Sequence, residues 1–129
     1  MESYQVLLID DEEAFVTTLA ERLELRGITA RIALDGQTGL DVIAAQQPEI
    51  VVLDLRMPGI GGIEVLRQIR HQWPQLPVIM LSGHGSGHER DICLEMGACV
   101  YHNKPLDIDM LLQSIQTARL STTAASAGA

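Results

Sequence analysis

The sequence predicts an α/β domain in which helices cover both faces of a parallel sheet. Five short apolar runs alternate with stretches whose apolar residues recur at helical spacing, a pattern typical of βα units. Three of these runs are apolar at consecutive positions, as expected for strands that are buried on both faces. A chain of 129 residues fits one domain.

The five predicted strands are residues 6–9, 28–33, 50–53, 78–81 and 98–101. The first, third and fourth are the continuously apolar ones, so we expect these three at the centre of the sheet. Right-handed crossovers between parallel strands require a doubly wound arrangement. For five βα units, the simplest choice is a flavodoxin-like sheet with the strand order 2-1-3-4-5.

Helices are predicted between and after these strands, because apolar side chains recur three or four residues apart. Gly27 and Gly97 follow the first and fourth helical stretches, where a left-handed residue often ends a helix. The predicted buried stripes are Phe15, Leu19 and Leu23; Leu40, Ile43 and Ala44; Ile63, Leu66 and Ile69; and, in a fifth helix, Ile108, Leu111, Leu112 and Ile115.

The carboxyl-terminal residues differ in composition from the rest of the chain. The segment STTAASAGA, from Ser121, is small and polar and has no periodic pattern. We therefore predict one domain over residues 1–120 and a disordered tail or the start of a linker over 121–129.

Charge and hydropathy narrow the classes of partner. Nine Lys and Arg against 17 Asp and Glu give a net charge of −8, which disfavours direct binding to nucleic acid or to an anionic membrane. No apolar run approaches the roughly 20 residues of a membrane helix, and the first residues resemble no secretory leader. We expect a cytoplasmic setting. Cys93 and Cys99 match no common zinc spacing, so we expect reduced, buried, structural thiols.

Polar residues follow the predicted strands at the edge where parallel α/β sheets bind ligands. Asp10 and Asp11 follow the first strand, Asp54 the third and Ser82 the fourth, and Lys104 comes after the fifth. Three neighbouring carboxylates repel one another, so they either raise one pKa or hold a cation. Oxygen ligands select a hard ion, for which Mg²⁺ is the best candidate and Mn²⁺ a substitute.

Asp54 is the candidate nucleophile. A carboxylate at the mouth of a buried strand can attack phosphorus and form an aspartyl phosphate without a general base. The reaction needs charge compensation on the oxygens of the transferred group. A metal ion, the Lys104 ammonium and the Ser82 hydroxyl are three suitable partners.

Four segments carry a specific resemblance: LLIDDEE, VVLDLRMPGIGG, VIMLSGHG and VYHNKP. In order and interval they resemble the motifs of response-regulator receiver domains, similar to the chemotaxis response regulator, over about residues 4 to 119. The resemblance implies that a histidine kinase donates a phosphoryl group to Asp54. It also implies that Asp11 and Asp54 bind Mg²⁺ directly, Asp10 through water, and Arg56 through its backbone carbonyl.

The resemblance further implies a switch. Ser82, in place of the commoner Thr, would hydrogen-bond the phosphoryl group, and Tyr101 would turn inward behind it. The Lys104–Pro105 bond resembles the cis peptide of the family. The surface of the fourth helix, fifth strand and fifth helix would then act on a downstream effector domain or protein, or form a homodimer. His84 and His102 depart from the usual pattern.

Other interpretations remain open for the same residues. The acids at 10–13 could simply cap the first helix, and Asp54, Ser82 and Lys104 could be turn, cap and loop residues. The fold could also serve as an unphosphorylated pseudo-receiver that only binds protein. A haloacid-dehalogenase-like phosphatase is a third alternative, but that family needs a second Asp where this chain has Arg56.

Overall fold

The computed structural model describes residues 4–83 and 87–128, with side chains as far as residue 119. Five strands alternate with five helices. The strands are β1 (Tyr4–Ile9), β2 (Ile28–Ala33), β3 (Ile50–Asp54), β4 (Val78–Ser82) and β5 (Val100–Asn103). The helices are α1 (Glu13–Glu24), α2 (Gly36–Ala45), α3 (Gly62–Gln72), α4 (Gly87–Glu95) and α5 (Ile108–Gly128). Within the described residues, no helix combines the length and the apolar character needed to cross a membrane.

All five strands pair in parallel in the order β2-β1-β3-β4-β5, which confirms the predicted topology. The three continuously apolar strands, β1, β3 and β4, lie inside the sheet as expected. Strand order reverses between β1 and β3, because the chain moves outward first to one side and then to the other. In open α/β sheets, ligands bind at the carboxyl ends of the strands where the order reverses, here β1 and β3.

The core has two halves, one on each face of the sheet. Alternate residues of each central strand point to opposite faces, so Leu7 and Leu53 pack on the side of α2 and α3. Leu8 and Val52 pack on the other side with α1 and α5. Burial on both faces explains why the sequence of these strands lacks the alternation of a half-exposed sheet.

The buried face of α2 differs from the predicted one. Leu40 and Ile43 are buried, but Ala44 is exposed, and Gly36 and Gly39 complete the inner face. A Cβ at Gly39 would collide with the side chain of Ile9, so the glycine lets the helix approach β1 closely. Alanine is compatible with either face of a helix, so spacing alone wrongly predicted that Ala44 is buried.

The ends of α1 and α4 follow the prediction. Gly27 and Gly97 have φ angles of 79° and 100°, in the left-handed region that glycine adopts readily. Both cysteines are free thiols; Cys93 is buried in α4 as expected. Cys99 is exposed, which corrects the prediction of burial, because it lies in the turn before the edge strand β5.

Helix α5 is longer than its apolar stripe indicated. It continues to Gly128, into the segment 121–129 for which the sequence predicts a disordered tail or the start of a linker. Alanine has the highest helix propensity, and extending an existing helix is easier than starting a new one. The tail or linker over residues 121–129, and the domain boundary near residue 120, stay predictions.

Candidate functional site

Three polar residues are buried at the carboxyl edge of the sheet. Asp54 ends β3, Ser82 ends β4, and Asp10 directly follows β1. Their exposed fractions are only 4%, 1% and 3%, in a core that is otherwise apolar among the described residues. Burying polar groups is unfavourable, so their location here needs a specific explanation.

The acidic residues form one cluster. Asp10, Asp11 and Asp54 each offer a carboxylate oxygen, and the three oxygens lie within 4.8 Å of one another. Asp11 is exposed while the other two are buried, so the cluster opens toward solvent on one side. The donor set consists of oxygens alone, which fits a hard divalent cation such as Mg²⁺.

Burial and mutual repulsion perturb the ionisation of this cluster. Burial, with a further contribution from the negative charge of Asp10, raises the pKa of Asp54 to about 6, although Lys104 opposes this shift. Burial also raises the pKa of Asp10, while its hydrogen bonds with the Glu12 amide and with Lys104 act in the opposite direction. A single ammonium does not fully compensate the carboxylates, so a bound cation would stabilise their ionised forms.

Lys104 reaches into the cluster from the loop after β5, where its peptide bond to Pro105 is cis, as expected. Its Nζ lies 2.9 Å from Asp10 Oδ2 and 3.4 Å from Asp54 Oδ1. Its backbone N–H donates to the carbonyl of Ser82 at 2.8 Å, which ties the loop to the end of β4. The structure thus brings together the five residues that the sequence singles out at the strand ends.

Glu12 is a neighbour of the site that the sequence prediction missed. Its Oε1 lies 2.6 Å from Lys104 Nζ, and the Phe15 ring lies 4.5 Å from the same atom. Burial alone would lower the pKa of Lys104, but hydrogen bonds with Glu12 and Asp10 outweigh it and raise that pKa. The only available signal was a third consecutive acid in LLIDDEE, which capping explains equally well.

The side chain of Glu12 does not cap helix α1. It occupies the N-cap position of α1, but its carboxylate makes no hydrogen bond to the first turn. Instead, its backbone N–H donates to Asp10 Oδ1 at 2.9 Å. The acids before α1 are therefore oriented toward the cluster rather than toward the amides of the helix.

Arg56 directs its side chain away from the cluster. Its guanidinium pairs with Glu89 in the first turn of α4 at 2.6 Å. The following turn is tight. Gly59 has a φ of 77°, and a Cβ at Gly62 would collide with the carbonyl oxygen of Asp54.

Tyr101 lies in β5 opposite Met80 of β4, and Asn103 lies opposite Ser82. Tyr101 is half-buried and packs against the core on the α2 and α3 side of the sheet. Its hydroxyl is buried and has no hydrogen-bond partner among the described residues. Met80 and Ser82 are two residues apart in β4, so their side chains share a face of the sheet. Tyr101 is paired with Met80, and therefore Tyr101 and Ser82 both point to this side.

Only one of the two unusual histidines, His84 and His102, lies within the described residues. His84 lies outside the described residues. His102 is half-buried in β5, where its Nε2 lies 2.8 Å from Ser114 Oγ of α5, and burial lowers the pKa of the imidazole. The polar residue at this position therefore links the edge strand to the last helix.

Comparisons with known proteins agree with the predicted fold and family. The family model described as response regulator receiver domain matches residues 6–116. Response regulator MprA of Mycolicibacterium vanbaalenii is 36% identical over 119 residues, which cover 92% of this chain and 52% of MprA. The chain spans about half the length of the curated relatives it matches.

Two solved structures extend the comparison. A CheY-like receiver domain protein from Methanospirillum hungatei superposes with a TM-score of 0.91 at 25% identity, covering 95% of this chain and 98% of that one. The receiver domain of NtrX from Brucella abortus gives a TM-score of 0.83 at 32% identity, covering 88% and 96%. The chain therefore belongs to the response regulator receiver domain family, whose members are signalling proteins of two-component systems.

Proposed function

We propose that the chain accepts a phosphoryl group on Asp54 from a histidine kinase in a reaction that depends on Mg²⁺. The observation that carries this proposal is the buried Asp54 carboxylate, held at the edge of the cluster with Lys104 3.4 Å away. In the reaction, an Asp54 oxygen forms a bond to phosphorus while the bond from phosphorus to the imidazole nitrogen of the donor breaks. The imidazole leaves with the electron pair of that bond.

The surrounding residues would divide the remaining tasks. Asp11, Asp54 and the Arg56 carbonyl would hold the metal ion directly, and Asp10 would act through water; Mn²⁺ is expected to substitute. The bound ion would supply positive charge for the oxygens of the transferred group. Lys104 would bind one of these oxygens. Ser82, buried at the end of β4, would donate its hydroxyl to the product.

A change at Ser82 would reach the surface through Tyr101. Both residues point to the same face of neighbouring strands. Among the described residues the buried Tyr101 hydroxyl has no hydrogen-bond partner, which supports a side chain able to change position. Phosphorylation would shift an existing equilibrium of the surface formed by α4, β5 and α5 toward a form that binds a downstream effector domain or protein, or a second copy of the chain. Moving that equilibrium from 1:99 to 99:1 would require about 5.5 kcal/mol.

The proposed setting is the cytoplasm, with protein partners rather than nucleic acid or a membrane. The net charge of −8 supports this choice, since it disfavours contact with phosphate backbones and anionic lipids. The chain would not act as an enzyme on other molecules, since it would catalyse only its own phosphorylation and dephosphorylation.

A labelling experiment tests the acceptor. Incubation with a small phosphodonor and Mg²⁺ should add one phosphoryl group to the wild-type chain, detected by intact mass, and none to Asp54→Asn. Asp41→Asn, an exposed Asp in α2, is the matched control and should label like wild type. Equal labelling of Asp54→Asn and wild type would refute the assignment.

The same samples separate the alternatives. A pseudo-receiver would neither label nor show chemical-shift changes with Mg²⁺ and a phosphoryl analogue. A haloacid-dehalogenase-like phosphatase would instead turn over phosphate esters repeatedly. Either result would replace the proposed function, whereas a single adduct at Asp54 that base and hydroxylamine remove, without ester turnover, would support it.

A further inference from the structure

We propose that Glu12 is a positioning residue for phosphotransfer, because its carboxylate holds the Lys104 ammonium beside Asp54 when Asp10 turns to a metal ion. This inference rests on the proposed function. The carrying observation is the order of distances around Lys104 Nζ: 2.6 Å to Glu12, 2.9 Å to Asp10 and 3.4 Å to Asp54. The shortest contact belongs to a residue outside the carboxylate cluster.

The three N–H donors of the Lys104 ammonium do not have equivalent partners. A lysine ammonium has three N–H donors. Asp10 and Glu12 accept two of them in close hydrogen bonds, and the Phe15 ring lies 4.5 Å from the nitrogen on a further side. Asp54 Oδ1 lies further from the nitrogen, at 3.4 Å, so the ammonium faces the acceptor without being held by it as closely as by Glu12 and Asp10. Glu12 and Asp10 thus determine where the positive charge lies relative to the acceptor.

Asp10 has two competing roles in this arrangement. It belongs to the three-carboxylate cluster that fits a divalent cation, and it also accepts a hydrogen bond from Lys104. A cation near Asp10 repels the ammonium and draws on the same negative charge. Glu12 does not belong to that cluster among the described residues, so it remains available to Lys104 when the cluster is loaded.

The local backbone places Glu12 for this task. Its N–H donates to Asp10 Oδ1, which fixes the peptide that carries the Glu12 side chain. The side chain is 61% exposed, so its ion pair with Lys104 contributes little to folding. Its importance would lie in the direction of the ammonium, since small displacements of a charged group from the reacting atoms reduce rates strongly.

Glu13 offers a matched control. It carries the same charge one residue further on, is exposed, and lies in the first turn of α1. Among the described side chains, Lys104 forms ion pairs with Asp10, Glu12 and Asp54, and not with Glu13. Glu12→Ala and Glu13→Ala therefore remove equal charge from the same end of α1, but only the first removes a contact with Lys104.

The first measurement is the rate of phosphorylation by a small phosphodonor at saturating Mg²⁺. Glu12→Ala should be slower than wild type by about five- to tenfold, the loss of roughly one charge-assisted hydrogen bond in the transition state. Glu13→Ala should stay within about twofold, as expected for a distant exposed charge. Glu12→Gln, which keeps an acceptor oxygen, should fall between. Equal rates for the two alanine variants would overturn the inference.

The second measurement does not need phosphorylation. The ¹⁵N-detected signal of the Lys104 ammonium should shift and broaden on Mg²⁺ addition in Glu12→Ala, and should follow wild type in Glu13→Ala. Identical Lys104 signals in the two variants would overturn the role of Glu12 even if Asp54 is labelled. A wild-type chain that does not label would refute the proposed function instead, and the ammonium signals would still decide whether Glu12 holds Lys104.

Discussion

Asp54 ionises in surroundings that penalise its negative charge. Burial and the neighbouring Asp10 carboxylate raise its pKa from 3.8 to about 6. The native chain therefore binds a proton more tightly than the unfolded chain does. Its contribution to stability is fully present below pH 3.8 and is lost as the pH rises through about 6.

This linkage predicts a pH-dependent effect of Asp54→Asn in the metal-free chain. At pH 8 the variant should be more stable than wild type by about 1–3 kcal/mol, because it removes an ionised group with a pKa raised by about two units. The advantage should shrink toward pH 4. Urea unfolding across this range measures it, with Asp41→Asn as the control. A difference between wild type and Asp54→Asn that does not vary with pH would contradict the raised pKa.

Gly62 shows how close the backbone lies behind the acceptor. It begins α3, and its N–H donates to the carbonyl of Leu55 at 2.8 Å. An added Cβ would collide with the Asp54 carbonyl oxygen and lie 2.7 Å from Leu55 Cα. Both contacts are backbone atoms, so they cannot move aside as a flexible side chain would.

Gly62→Ala should therefore destabilise the chain by about 1–3 kcal/mol, the range for overpacking a well-packed site. It should also slow phosphorylation, because the backbone that must shift carries Asp54. Gly61→Ala is the control, since its Cβ would meet only the Leu55 carbonyl oxygen, at an ordinary 3.7 Å. Urea unfolding and labelling rates measure both effects. Equal stability of the two variants would show that the turn accommodates a side chain at residue 62.

Among the helices, α4 buries few of its described residues. Cys93 is its one buried residue among those described, whereas α1 and α3 each bury four. The ion pair between Arg56 and Glu89 ties its first turn to the loop that follows β3. A helix with little buried surface depends more on such surface contacts for its local order.

Arg56→Ala should thus change local rather than global stability. An exposed ion pair contributes about 0.2–1 kcal/mol, so the unfolding midpoint should move little. Amides in the first turns of α4 should nevertheless exchange with solvent several-fold faster, which hydrogen exchange followed by mass spectrometry measures. Arg67→Ala is the control, because its pair with Glu64 lies within α3. Unchanged exchange in α4 would mean that the ion pair does not hold this helix.

The parts of the fold that local pattern determines were predictable. Continuous apolar runs identified β1, β3 and β4 as inner strands, and the strand ends identified Asp10, Asp54 and Ser82, which the fold buries together. Local pattern does not specify contacts between distant segments. Glu12 meets Lys104 across 92 residues, and nothing in the spacing of either residue distinguishes that contact from capping.

Errors arose where a residue type suits two environments. Ala44 fits an inner or an outer helix face, and Cys99 is small enough for the core yet lies at an exposed turn. Helix α5 is a separate case: it extends past its last apolar stripe, and the high helix propensity of alanine, which periodicity does not measure, accounts for that extension. The buried faces and the ends of these elements therefore depend on packing and on helix propensity, which the spacing of apolar residues does not reveal.

For the whole molecule, the acidic cluster exists only when the sheet is formed. Asp10, Asp11 and Asp54 come from two strand ends, and their oxygens converge within 4.8 Å through the pairing of β1 with β3. An unfolded chain has no such arrangement. A divalent cation that binds the cluster should therefore stabilise the native state by mass action, by about 1.4 kcal/mol at tenfold excess over its dissociation constant.

Thermal unfolding tests this coupling of cation and fold. The Tm of wild type should rise with added Mg²⁺ beyond the change produced by NaCl at equal ionic strength, because screening alone does not require the cluster. Asp11→Asn should lose most of that specific rise while keeping its fold, since this carboxylate is exposed. Asp41→Asn should respond like wild type. If Asp11→Asn gains as much from Mg²⁺ as wild type does, the stabilising cation binds elsewhere and the cluster is not its site.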